Sequence, residues 1–239
     1  MNTKLKSSII EMAKASSEEI CGFMYATQNE VKLYPCRNIA TTPIEDFSIS
    51  QDDYLECIKL GTVMAVYHSH PTGPASFSEA DLHYADEAVL PFYLYDVASG
   101  EWSEYLPPDY HVKLEGRPFY WGFDDCYGAT RHYYRETLGL HLHDYDRDDT
   151  FGPTRSLAIM DHFGDERFIL LPPTATIQPH DIMLFDISPR CPQHMSIFLG
   201  NQRMFHHPLN MLSKIELLSG GYIERLSHIL RHKTMVVSV

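Results

Sequence analysis

His68 and His70 stand one residue apart in Tyr67-His68-Ser69-His70-Pro71. Alternate residues of an extended chain point to the same side, so both imidazoles can reach one point. Asp81 follows eleven residues after His70 and can return a carboxylate to them. Two nitrogens and one oxygen with a fourth position left open is the arrangement of catalytic zinc. The mixed donor set suits zinc better than calcium or magnesium. Water on such an ion becomes a nucleophile near neutral pH, and a base must take its proton. Glu18 and Glu19 are the nearest acidic candidates. A chain with 14 His also yields such pairs by chance, and spacing alone leaves both readings open.

A second constellation centres on Cys126, which follows Trp121-Gly122-Phe123-Asp124-Asp125 and precedes a helix. A thiol at a helix N-terminus has a lowered pKa, because the dipole and free N–H groups favour the thiolate. Asp124 and Asp125 oppose this, so a histidine base is needed. His194 and His206 lie twelve residues apart. A hairpin of Met195–Leu199 with Met204–His207 would set them side by side as base and orienting group. A structural thiol and a polar strand end are the plainer readings of the same residues.

Both sets need elements to hold them. Lys4–Lys14 has Leu5, Ile9, Met12 and Ala13 on one helical face. Ile20–Thr27 and Val31–Cys36 read as strands, and Gln51–Leu60 as a helix with Tyr54, Leu55 and Ile58 inward. Val63–Tyr67 is a buried strand that ends just before His68. Ser78–Glu87 is a helix with Ser78 as its cap, and Pro91–Val97 is a strand. Pro107, Pro108, Gly116 and Pro118 then break the pattern. Asp125–Leu138 is helical, a polar loop covers His141–Arg155, and Ile182–Phe185 is a further strand.

The 239 residues carry a net charge of −13, which argues against nucleic acid as a partner. No segment is apolar for long enough to be a transmembrane helix. Ser7, Ser8, Glu11 and Lys14 interrupt any secretory apolar region, so a cytoplasmic origin without a signal peptide is expected. Five Cys without a CxxC pair read as thiols, with Cys21, Cys36, Cys57 and Cys191 structural. The acidic loop Asp144–Asp149 reads as a solvated loop rather than a weak cation site. Trp121, beside the Cys126 loop, is the better of two tryptophans for stacking on sugar.

Glu19-Ile20-Cys21-Gly22, His68-Ser69-His70-Pro71 and Ser78-Glu79-Ala80-Asp81 together resemble the JAMM (MPN-plus) metallopeptidase signature. The resemblance implies His68, His70 and Asp81 as ligands of one Zn2+, Glu19 as general base and Ser78 as an oxyanion partner. Asp125-Cys126-Tyr127-Gly128 and His194 through Gly200 resemble the NlpC-type, papain-like cysteine peptidases of bacterial cell-wall turnover. That likeness implies Cys126 as nucleophile, His194 as base and His206 as orienter, with His207 beside it open to the same role. Tyr127, Phe119 and His180 stand where the second family usually has Ser, Tyr and Gly.

The expected fold is α+β/α/β in two domains. A JAMM-like (deaminase-like) sheet with flanking helices spans 1–104, and a linker spans 105–117. A papain-like α+β domain with a small antiparallel sheet spans 118–239. This pair in one chain resembles the tail-tip-associated peptidases of lambda-like phages. Phage tail-tip proteins and peptidoglycan peptides are the implied partners. The host cytoplasm would be the place of assembly, and the virion tail or cell wall the place of action. Two other classes remain: an assembly factor with secondary or vestigial chemistry, and a Cys–His amidase or acyl transferase.

Overall fold

The computed structural model describes residues 1–28, 30–147, 157–188 and 191–236. The chain divides into two compact units, one of Lys4–His111 and one of Val112–Val239 with Met1–Thr3. The first three residues thus group with the C-terminal unit.

In the N-terminal unit, α1 (Thr3–Lys14) precedes the hairpin of β1 (Cys21–Ala26) and β2 (Val31–Cys36). Then follow α2 (Gln51–Leu60), β3 (Thr62–His70), α3 (Glu79–Ala88), β4 (Phe92–Asp96) and β5 (Trp102–Tyr105). The sheet order is β2-β1-β3-β4-β5, with β3 parallel to β4 and the other pairs antiparallel. A parallel pair needs a crossover, and α3 supplies it. β3 runs through His70 instead of stopping at Tyr67, so both imidazoles belong to the strand itself. Tyr54, Leu55 and Ile58 are exposed rather than inward. Burial on α2 centres on Cys57, which leaves Tyr54 and Ile58 at the margins and Leu55 on the far side. Trp102–Tyr105, unanticipated from its pattern, closes the sheet edge.

The C-terminal unit opens with α4 (Cys126–Leu138), and the short α5 (Ile159–His162) follows. Strands β6 (Phe168–Leu171), β7 (Ile182–Ser188), β8 (Cys191–Gly200), β9 (Arg203–His206) and β10 (Lys214–Leu217) come next. After α6 (Gly220–Ile223), β11 (Leu226–His232) completes a sheet of order β10-β9-β8-β7-β11-β6, antiparallel throughout. Among the described residues, six strands exceed the three read from the sequence. α4 packs on one face of the sheet, where Tyr133 and Tyr134 meet Ile182, Leu184, Met195, Ile197 and Phe205. On the other face Met183, Phe185 and Met204 form a smaller cluster.

Candidate functional site

Strand β3 brings His68 beside Cys21 of β1 and Leu94 of β4, in the middle of the sheet. His68 is wholly buried, and the Phe47 ring stacks on it with centroids 4.5 Å apart. Neither of its ring nitrogens has a hydrogen-bond partner, and Nε2 lies 3.5 Å from Asp81 Oδ1. His70 Nδ1 is 2.9 Å from the Pro74 carbonyl, to which it must donate. The lone pair of His70 is therefore on Nε2, 3.6 Å from Glu19 Oε1 and 3.8 Å from Asp81 Oδ2. The donor atoms of His68, His70 and Asp81 lie within 4.8 Å of one another.

The start of α3 fixes the carboxylate. Ser78 N and Oγ donate to Asp81 Oδ2, both at 2.8 Å, and Ser78 Oγ accepts the Asp81 N–H at 3.1 Å. This capping box leaves Oδ1 facing His68 and commits the Ser78 hydroxyl to Asp81. Glu19 is held through its backbone: its N–H donates to Pro43, and Asn38 Nδ2 donates to its carbonyl. A Cβ on Gly22 would stand 2.4 Å from Tyr34 O and 2.6 Å from Tyr67 Oη, which accounts for the glycine in Glu-x-Cys-Gly.

Burial and the neighbouring Asp81 and Asp46 raise the Glu19 carboxyl to about 8. Burial works against the Asp81 charge, but His68 and Ser78 outweigh it and hold the group down at about 2. Burial lowers the His68 pKa. A buried imidazole with two orphan nitrogens is costly unless something fills the space between the donors. The N, N, O set and those orphan atoms fit a zinc ion.

In the C-terminal unit Cys126 is the first residue of α4, not a residue before it. Asp125 caps the helix, accepting from Gly128 N at 2.8 Å, Gly122 N at 2.9 Å and Arg147 Nε at 2.7 Å. Arg147 also reaches Asp144, and Asp124 pairs with Arg117 and His132. Both acids beside the thiol are thus engaged by cations. So is Asp144 of the acidic loop, whose Asp148 and Asp149 lie outside the described residues. A Cβ on Gly128 would stand 1.7 Å from Phe123 O, so only glycine fits that turn of the helix.

The Cys126 sulfur faces the backbone N–H groups of Met195 and Tyr127. An atom that touches Met195 N lies beside the Cα of His194. Burial, followed by Asp125, nevertheless pushes the thiol up to about 12. The lowering expected from the helix start is outweighed, because desolvation penalises the thiolate more than two N–H groups and Arg147 favour it.

Strands β8 and β9 pair with Ser196 opposite His206. His194 Nε2 and His206 Nδ1 are 2.9 Å apart, with ring centroids at 5.1 Å. His207 turns elsewhere, with Nε2 3.1 Å from the Met211 carbonyl and its ring against Phe119. Burial and His206 bring His194 down to about 3, and burial brings His206 down to about 4. His206 Nε2 is 2.8 Å from Glu216 Oε1. Glu216 escaped the reading of the sequence, since no strand was read over Lys214–Leu217 and a charge between two apolar residues is ordinarily placed in solvent. In fact Ile215 and Leu217 are the exposed residues.

His180, at the position where the NlpC-type pattern has Gly, has φ 74°, a left-handed conformation. Tyr133 Oη at 2.7 Å from His180 Nδ1, and Tyr134 Oη donating to its carbonyl at 2.6 Å, hold it there. Trp121 stands edge-on to Phe119 with centroids 4.9 Å apart.

Two families match in chain order: the prokaryotic homologs of the JAB domain over residues 3–106 and the NlpC/P60 family over residues 116–231. The chain is 31% identical to the tail tip assembly protein K of Escherichia phage N15, over 93% of this chain and 92% of that protein. It is 29% identical to the tail tip assembly protein K of Escherichia phage lambda, over 77% of this chain and 89% of that one. The solved NlpC/P60 domain of the peptidoglycan hydrolase SagA aligns at 18% identity, over 49% of this chain and 89% of that chain, with a TM-score of 0.36.

Proposed function

The chain belongs to the tail tip assembly protein K family, and on that footing we propose that it is a dual peptidase of a phage tail tip. Its NlpC/P60 half is a cysteine endopeptidase that cuts stem peptides of peptidoglycan during DNA entry or tail assembly. Its JAB half is a zinc-dependent peptidase that processes a protein substrate. Tail-tip proteins are its partners.

One observation supports the cysteine reading: His194, which contacts His206 at 2.9 Å, is the chain neighbour of Met195, whose N–H the Cys126 sulfur faces. With the thiol at about 12 and His194 at about 3, the resting pair is neutral. The proton therefore passes from sulfur to His194 as sulfur attacks the peptide carbonyl. His194 then gives that proton to the leaving amine, and an acyl thioester remains. Water, deprotonated by the same imidazole, hydrolyses it and restores the thiol.

In the N-terminal unit His68, His70 and Asp81 would hold zinc, which supplies a polarised water and a Lewis acid for the scissile carbonyl. Glu19, whose Oε1 lies 3.6 Å from His70 Nε2, would take the proton of that water and deliver it to the leaving amine. Ser78 positions Asp81 through the cap. Its oxyanion role requires the hydroxyl to turn from Asp81 to the substrate.

Zymography on purified cell walls tests the cysteine half. Clearing by wild type and none by Cys126→Ala is expected, and equal clearing by both would overturn it. The name of the two phage relatives, which speaks of assembly, favours a second reading as a docking factor with secondary chemistry. That reading predicts infectious tails from Cys126→Ala and His68→Ala phages but none from a deletion.

A further inference from the structure

We infer that Glu216 is a positioning residue of the cysteine centre, which acts through His206 to set the proton on His194. The inference rests on the reading of Cys126 and His194 as nucleophile and base.

Two contacts in series carry it. Glu216 Oε1 lies 2.8 Å from His206 Nε2, and His206 Nδ1 lies 2.9 Å from His194 Nε2. The carboxylate stands off the line of an ideal Nε2–H bond, so the pairing is one of charge and proximity; a carboxylate only accepts, so the His206 nitrogen nearest it bears the proton. A neutral imidazole has one N–H, so His206 Nδ1 is then an acceptor and His194 Nε2 must donate to it. The lone pair of His194 is left on Nδ1, the nitrogen free to take the thiol proton. Without the carboxylate both rings can reverse together. His206 would then donate from Nδ1, and His194 would carry its proton on Nδ1, where it cannot serve as a base.

The local fold is arranged around this carboxylate. Lys214 Nζ donates to Glu216 Oε2 at 2.7 Å, and Tyr222 Oη donates to Oε1 at 3.0 Å. The Tyr222 ring stands edge-on to His206 with centroids 5.5 Å apart. β10 pairs Lys214 with His206 and Glu216 with Met204. Its charged residues turn inward while Ile215 and Leu217 face solvent. Ordinary patterning of an edge strand is the reverse. The strand thus exposes two apolar side chains to bring one carboxylate to an imidazole.

The titratable and charged groups that face the two imidazoles are Lys214 and Glu216 from β10, Tyr222 from α6 and His207 just after β9. Among them Glu216 is the anion, and it stabilises the imidazolium that forms as the thiol loses its proton. Removing it lowers the pKa of the imidazole pair, so the acidic limb of activity moves to lower pH while the plateau rate falls.

Long-range ¹H–¹⁵N spectra of histidine-labelled full-length protein report the tautomers directly, with His194→Ala and His206→Ala providing the assignments. Wild type should show both rings protonated on Nε2. Glu216→Ala should lose that uniform state. Glu216→Gln, whose amide oxygen can still accept, should keep it. On purified cell walls the Ala variant should lose about tenfold or more in rate, with Gln restoring part of it. Both should shift the acidic limb down by about one pH unit. Nδ1–H on His194 of the wild type, or unchanged tautomers in Glu216→Ala, would overturn the inference. Correct tautomers with no wall clearing by wild type would leave Glu216 in place and instead sink the peptidoglycan reading.

Discussion

Each unit holds a pair of imidazoles at nearly the same separation, with centroids 5.2 Å apart for His68 and His70 and 5.1 Å apart for His194 and His206. The ring nitrogens separate the two. His68 has no hydrogen-bond partner on either nitrogen, and its neighbours converge on a common point. His194 and His206 point at one another, and the series ends at Glu216. Converging orphan donors make a cage for a cation, whereas nitrogens in line make a path for a proton. Histidine pairs can therefore be sorted by where their lone pairs go rather than by spacing.

If the sorting is right, substitutions in one pair should leave the other's readout alone. The largest effect is expected from His194→Ala, which should cost at least about a thousandfold in wall clearing with zinc content unchanged. Next is His68→Ala. Bound zinc measured by elemental analysis should fall from about one per chain to near zero, with wall clearing retained. Zinc loss in His194→Ala, or full zinc in His68→Ala, would break the comparison. His206→Ala removes the orienting ring but leaves nucleophile and base, so a fall of about a hundredfold in rate is expected.

The smallest effect is on stability. His194 and His206 sit at about 3 and 4, below the ordinary imidazole range, so the folded state stays neutral where the unfolded chain binds protons. Their contribution is complete above about pH 6.5 and is lost as pH falls toward 4. With Trp102→Phe leaving Trp121 as reporter, urea midpoints should fall by the equivalent of about 2 kcal/mol for each of the two imidazoles between pH 7 and 5. His206→Gln should flatten that slope, and an unchanged slope would count against the buried neutral pair.

The grouping of His68, His70 and Asp81 could be read from residues close in sequence. The alternation of β3, the cap at Ser78 and the return of Asp81 are local consequences of strand and helix geometry. Cys126 was likewise legible as the opening of α4. The expected pKa of its thiol was not, because desolvation depends on what the rest of the unit packs around it. Tyr54, Leu55 and Ile58 looked like a core stripe, but α2 meets the sheet through Cys57 alone among its buried side chains. β6, β10 and β11 were missed for a related reason. Each is short or mixed in pattern and owes its strand form to partners far along the chain, as in the pairing of Leu226 with Phe185. Glu216 was hidden by the rule that charges on an edge strand face water.

The capping box at Ser78 has a consequence for how the N-terminal unit would take up and release the proposed ion. Asp81 holds the helix start with one oxygen and turns the other toward His68, so its two duties do not compete. Chelation would then strip the cage without unwinding α3, and reloading would meet a carboxylate already in place. Exchange should be quick and reversible, as in a socket that keeps its shape between occupants.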